Sequence, residues 1–234
     1  MISTGQELNT FITGLNAEAT IDLTLLDVLV DTARTILEEE RPWMVLRKVD
    51  TSKTVTTASL YTTAIDLSTI TDFSRFYSDV PIRLFDGGNR IEYYRLVPFD
   101  RQLEYKDVSN TACYDDNSKD LYLNGTVSFS GTLYISYMAT STAIDLESAS
   151  AVWSLFPSRF LPVLGFYAIG IHKGAVDFDQ INRQMLPENQ ATLNALKRAM
   201  EKWDDERQQA GLATNDPTDL YSYPRSGAID RYNN

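Results

Sequence analysis

Few residues in this chain stand at spacings that could do chemistry. His172 is the sole histidine, so a catalytic triad or a histidine-based metal site would have to centre on it. Its place near the expected end of a helix points instead to capping or packing, where an imidazole suits the negative end of the helix dipole. Cys113 is the only cysteine and lies in a strand-like segment. Without a second thiol no disulfide can form within the chain, and a buried, inert side chain is expected. Asp115-Asp116-Asn117-Ser118-Lys119-Asp120 spaces oxygens like the start of a calcium loop. The match fails where Lys119 takes a ligand position, Asp120 replaces the turn glycine and Thr126 replaces the bidentate glutamate. A polar turn between strands is expected there. Glu38, Glu39 and Glu40 cluster carboxylates as an acid/base enzyme would, but they read better as a solvated helix end, and Asp177 and Asp179 as helix caps. Asn124-Gly125-Thr126 fits the glycosylation triplet and reads better as a tight turn. The chain contains no Gly-rich phosphate loop, nucleophile elbow or HExxH pair. No catalytic, cofactor-binding or metal-binding residue is therefore assigned.

Composition narrows the classes further. The 234 residues hold 21 Lys and Arg against 32 Asp and Glu, a formal net charge of -11. Tight, non-specific nucleic-acid binding needs cations to displace phosphate counterions, so it is disfavoured, as is an anionic membrane surface. The hydrophobic share of 43% is that of a globular protein, with length for one domain or two small ones. The N-terminal residues lack a signal-peptide pattern, and the apolar stretch from Phe160 to Ile171 is too short to cross a bilayer. A soluble protein made in the cytoplasm is expected. Residues 1–40 hold eight acidic side chains and only Arg34 as a base. In a ring, such a surface would repel phosphates and let a duplex slide without sticking, which makes Glu38, Glu39 and Glu40 channel-lining candidates.

The elements that would carry these residues follow from periodicity. Thr4-Gly5-Gln6-Glu7 matches the capping box ahead of Leu8, Phe11, Ile12 and Leu15 at helical spacing. A longer helix is expected from about Asp22 to Glu40, with Leu25, Leu26, Leu29, Ala33, Ile36 and Leu37 on its apolar face and Pro42 beyond its end. From Trp43 the period changes to two, and six to eight short strands follow. Among them, Val80–Phe85 and Arg90–Val97 flank Asp86-Gly87-Gly88-Asn89, a strong hairpin signal. Pro98 to Tyr105 reads as a helical turn with Phe99 and Leu103 facing inward. Helix returns near Pro157, with Gly174 just past one helix end. Pro187 either starts a new helix or kinks a continuous one, and Leu193, Leu196, Met200 and Trp203 mark the packed seam. After Gly211 the chain has no clear period, yet it keeps Tyr221, Tyr223, Pro224, Arg225, Ile229 and Tyr232 among polar residues. Tyr and Arg anchor interfaces, so these six are the partner-binding candidates.

The order of segments resembles the phage head-to-tail adaptor (connector) proteins, most closely the adaptor group of short-tailed phages. The likeness lies in the helix leading into Arg41-Pro42-Trp43-Met44, the Thr-rich strand Thr51 to Tyr61, and the strand Val80-Pro81-Ile82-Arg83-Leu84. It continues in Pro98-Phe99-Asp100, in Leu133-Tyr134-Ile135-Ser136-Tyr137, and in the helix opened by Leu155-Phe156-Pro157-Ser158-Arg159-Phe160-Leu161-Pro162. It covers roughly residues 20 to 210 and rests on hydrophobic pattern, without an invariant signature.

The resemblance implies an α+β fold: a helical bundle with an inserted small antiparallel β-sandwich or barrel and an extended C-terminal tail. Residues 1–42 would be the N-terminal helices, 43–140 the β-rich insert, 141–211 the C-terminal helices and 212–234 the tail. It implies a structural virion protein at the head-tail interface, not an enzyme. Such proteins form a homo-oligomeric ring, a dodecamer, beneath the portal. They extend the channel for double-stranded DNA and dock tail or nozzle proteins, and no membrane or cofactor is involved. Another class stays open: a ligand- or receptor-binding module using Tyr93, Tyr94, Tyr105, Tyr114, Tyr122, Tyr134 and Tyr137. A third is an acid/base hydrolase built on clustered carboxylates.

Overall fold

The computed structural model of the chain describes residues 2–15, 21–78, 80–153 and 155–209. The chain divides into two compact units. The described residues of Met1–Leu46, Asp72–Ser74 and Met138–Leu212 form a helical unit, and those of Arg47–Thr71 and Arg75–Tyr137 a sheet unit.

The helical unit is built from α1 (Gly5–Leu15), α2 (Leu23–Glu39), α4 (Leu161–His172), α5 (Phe178–Gln184) and α6 (Pro187–Gln209). Several of these starts have a local cause. At α1 the capping box closes: Thr4 Oγ1 accepts from Glu7 N at 3.2 Å, and Glu7 Oε2 accepts from Ser3 N at 2.7 Å and Thr4 N at 3.2 Å. Those bonds hold the Glu7 carboxyl below its ordinary pKa. At α2 the Asp22 side chain accepts from the amides of Thr24 and Leu25. Pro187 opens a new helix and kinks none.

Helix α4 sits at the centre and is buried nearly all round, from Leu161 and Val163 through Gly170. Its neighbours come close where it has no side chain: a Cβ on Gly170 would lie 2.7 Å from Ile181 of α5. The helix stops at Gly174, whose φ of +87° only glycine adopts freely. There Ala175 N donates to Gly170 O and Gly174 N to Ile171 O, the two bonds of a Schellman end. His172 lies exposed in that last turn. Around α4 packs one continuous apolar core, including Leu8, Val30, Leu37, Trp43, Phe160, Leu193 and Met200.

The sheet unit corrects the expected fold. An inserted small antiparallel sandwich beside a helical bundle is overturned: the chain is mixed α/β, and its strands join one eight-stranded mixed sheet. These strands are β1 (Arg47–Val55), β2 (Ile65–Asp66), β3 (Phe73–Phe76), β4 (Ile82–Phe85), β5 (Ile91–Val97), β6 (Thr111–Asp115), β7 (Asp120–Leu123) and β8 (Gly131–Ala139). Their order is β1-β8-β4-β5-β6-β7-β2, with β3 also paired to β8. Strands β4 and β5 form the hairpin that Asp86-Gly87-Gly88-Asn89 announces, in the register Phe85↔Ile91 and Ile82↔Tyr94. Strands β5 and β6 run parallel, Arg95↔Thr111 to Val97↔Cys113. A parallel pair needs a crossover, and here it is the 3-10 turn Phe99–Arg101 continuing into α3 (Gln102–Tyr105).

That crossover brings a second correction. Phe99 and Leu103 do not face inward; they are 38% and 72% exposed. The inner positions go to Ile82, Leu84, Tyr94, Ala112, Leu121, Leu133 and Ile135, all essentially inaccessible. Cys113 is buried as expected, with Asn124 Nδ2 at 3.3 Å from its sulfur, and burial raises its pKa. Asn124 itself is fully buried beside Gly125, whose φ is +69°. The Asp115–Asp120 segment is a turn between β6 and β7, with Asp115 Oδ1 accepting from Asn117 N and Lys119 paired to Asp116 at 2.7 Å. Among the described residues no group of His, Cys, Asp and Glu could hold a metal ion, and no helix is long and apolar enough to cross a membrane.

Candidate functional site

The C-terminal end of α2 sends three consecutive carboxylates three different ways, because successive helical residues point about 100° apart. Glu38 goes inward and is 5% exposed. Its carboxylate accepts from Arg34 Nη1 at 3.0 Å, Ser141 N at 3.2 Å, Trp153 Nε1 at 3.1 Å and Ser141 Oγ. Arg34 is completed by Asp31 and Thr140, both at 2.8 Å. Such a charge survives burial only when paired and fully hydrogen-bonded. Trp153 holds φ at +55°, a strained value for a bulky residue. Its bond to Glu38 and its stacking on Phe156, centroids 4.2 Å apart, hold it there. The structure therefore does not leave Glu38 free to line a passage; it is an internal tie.

Glu39 and Glu40 both lie exposed, though the Glu40 side chain keeps only 23% of its accessibility. Glu40 accepts a bond of 2.6 Å from the Tyr167 hydroxyl and pairs with the Lys197 ammonium, which also donates to Tyr167 Oη at 3.1 Å. Lys197 is ringed by Trp43, Tyr167 and Phe178, its nitrogen 5.4–5.8 Å from each centroid. Burial pulls the Lys197 pKa down, to about 8, while the Glu201 carboxylate pulls the other way. Burial drives the Tyr167 hydroxyl the other way, well above its ordinary value, with Glu201 adding to the rise.

Above this pair lies an open groove of about 600 Å³. Ile36, Glu39 and Glu40 of α2 form one side, and Val176, Asp177, Phe178 and Asp179 at the start of α5 the other. Val176 is 71% exposed. Asp177 is spoken for in part as the α5 cap, accepting from Gln180 N at 2.8 Å and Gln180 Nε2 at 3.1 Å. The groove thus combines an apolar wall with a rim of carboxylates, suited to a ligand with a cation beside a flat apolar group. Close by, Arg41 bridges Asp204 at 3.1 Å and Asp205 at 2.8 Å.

Sequence reasoning named Glu39, Glu40, Asp177 and Asp179 but did not bring them together, and it missed Lys197. One signal was present: Lys197 falls within the apolar seam of α6, between Leu193 and Met200, where an ammonium demands an acidic partner. In the sheet unit, two of the seven tyrosines offered for ligand binding, Tyr94 and Tyr137, are buried, while Tyr93 is 44% exposed. Tyr94 donates to Glu92 at 2.9 Å. The crossover between β5 and β6 instead carries exposed apolar side chains. Phe99, Leu103 and Val108 lie on it or just after it, and Leu60 lies on a loop tied to it by Gln102 Nε2 donating to Tyr61 O at 2.9 Å. Tyr221, Tyr223, Pro224, Arg225, Ile229 and Tyr232 lie outside the described residues.

No protein-family model matches the chain, and no curated protein matches it.

Proposed function

We propose that this chain is a structural virion protein, a head-to-tail adaptor. It assembles as a ring beneath the portal, extends the DNA channel and docks tail or nozzle proteins. The observation that carries the reading is a set of exposed large apolar side chains in the sheet unit. Leu60, Phe99, Leu103 and Val108 are 63%, 38%, 72% and 44% exposed. Large apolar side chains left in water cost solubility unless another protein covers them. Phe99 belongs to the Pro98-Phe99-Asp100 element, one of the segments that resemble the adaptors, Leu103 and Val108 follow it in the chain, and neighbouring subunits of a ring would bury them.

Charge supports the channel role. The segments of the helical unit hold eighteen acidic and nine basic residues, those of the sheet unit eleven and ten. Passing DNA meets no surplus of cations to hold it. Carboxylates that remain exposed, such as Glu39, serve the passage. The tail segment from Tyr221 to Tyr232 reaches the portal, and a weak contact repeated around a ring gains avidity. Electron microscopy of the purified protein mixed with portal rings tests this. A second ring stacked on the portal is expected. A monomer that leaves the portal unaltered at saturating concentration would sink the reading.

A further inference from the structure

The acidic groove is open on one side and incompletely used. Its wall of Ile36, Val176 and Phe178 offers apolar contact, and Glu39 and Asp179 stand exposed at the rim. Around it the helical unit carries twice as many acids as bases. A fitting occupant brings guanidinium groups and aromatic faces and little negative charge.

This chain contains such a segment. We propose that residues 221–232 of the same chain, Tyr-Ser-Tyr-Pro-Arg-Ser-Gly-Ala-Ile-Asp-Arg-Tyr, dock in the groove of the free protein, anchored by Tyr223 and Arg225. The segment holds three tyrosines, an isoleucine and two arginines against one aspartate. An arginine can lie over the Phe178 ring while its donors reach the rim carboxylates, a pairing a lysine makes less well. A groove of about 600 Å³ falls within the range of sites that enclose a small ligand, about 300–1,000 Å³, so a few side chains enter and the rest of the segment lies across the rim.

Reach permits it. Glu40 and Phe178 of the groove both meet Lys197, twelve residues before the end of α6 at Gln209. At 1.5 Å per residue that is about 18 Å along the helix. The eleven residues 210–220 span up to roughly 36–40 Å when extended, so the tether covers the return with slack. A short tether also sets an effective concentration on the order of millimolar, enough to populate a contact too weak to hold a free peptide. The arrangement would shield the tail's aromatic anchors until a tighter partner removes them. It concerns the isolated chain and does not depend on the virion reading.

Hydrogen exchange of the full chain, read by mass spectrometry, tests it. Amides of 221–232 are expected to exchange about tenfold slower than those of an unstructured peptide of the same sequence. Glu39→Lys with Asp179→Lys, both at exposed positions, should abolish that protection, as should Arg225→Glu with Arg231→Glu. Combining all four substitutions should restore part of it, and circular dichroism checks that each variant keeps its helices. Unprotected amides in the wild type, or protection that survives the groove substitutions, would overturn the proposal. Protection that disappears on dilution would assign the groove to a second copy's tail and overturn the same-chain docking.

Discussion

In the helical unit, each of three ion pairs buries at least one charge: Glu38 with Arg34, both buried, Lys197 matched by Glu40, and Asp204 matched by Arg41. In the sheet unit, Arg101 pairs with Glu104 and Lys119 with Asp116 at the surface, and Arg47, Arg83 and Arg90 lie over the rings of Tyr77, Tyr134 and Phe129. Its exposed positions instead carry Leu60, Leu103 and Val108. The contrast teaches where each unit is specified. Buried ion pairs add little net stability but are costly to break, so they select one arrangement of helices. The sheet unit is defined by apolar alternation inside and leaves several large apolar side chains exposed outside.

The comparison can be broken most sharply at Glu38. Glu38→Ala removes the buried carboxylate partner of Arg34, which keeps Asp31 and Thr140, and the acceptor of the Trp153 indole N–H, and should cost about 3–5 kcal/mol in urea unfolding. A loss below 1 kcal/mol would mean that the internal charges of the helical unit specify little. Tyr167→Phe removes the hydroxyl that joins Glu40 to Lys197 and should cost about 1.5–3 kcal/mol, since both partners are charged.

Alkaline pH acts on both units at once. Tyr94 and Tyr167 both have pKa values raised by burial, Tyr94 with Glu92 adding to the rise. A raised folded-state value means the folded protein keeps protons the unfolded chain has released. The stability from these hydroxyls is therefore complete below about pH 10, the value of an unperturbed tyrosine, and is lost as pH climbs above it. Tyrosinate absorbance should show two side chains that ionise only with unfolding. Tyr94→Phe should flatten the alkaline loss on the sheet side and Tyr167→Phe on the helical side.

Leu103→Asp should change stability least, within about 0.5 kcal/mol, because the side chain is exposed. It should nonetheless abolish ring assembly in light scattering and electron microscopy. Rings that persist in this variant would separate Leu103 from oligomerisation.

Much of the local structure was legible and little of the long-range pairing. Thr4 with Glu7, Asp22, Gly174 and Asp86-Gly87-Gly88-Asn89 act within a few residues of themselves, and each does what its chemistry dictates. Strand period fixes which face a side chain takes but not which strand lies beside it, so the parallel β5–β6 pair was hidden. Leu103 misled for a related reason: an apolar type at helical spacing does not say which side of a short turn lies against the core. The Glu38–Glu40 run was legible as charge, but its split into an internal tie, a rim residue and a groove floor depends on Trp153, Tyr167 and Lys197, which lie more than a hundred residues away in sequence.

The helical unit is assembled from pieces at both ends of the sequence, with about ninety residues of other chain between Leu46 and Met138. Helix α2 emerges from the ribosome well before α4, the element that covers it. At about 5–20 residues per second the wait lasts roughly 5–25 s. Through that interval Leu26, Val30, Ala33 and Leu37 have no α4 to cover them, and Glu38 has neither Ser141 nor Trp153. Synthesis of this protein thus includes a period in which a nascent amphipathic helix is open to chaperones, and to pairing with the wrong copy on a neighbouring ribosome.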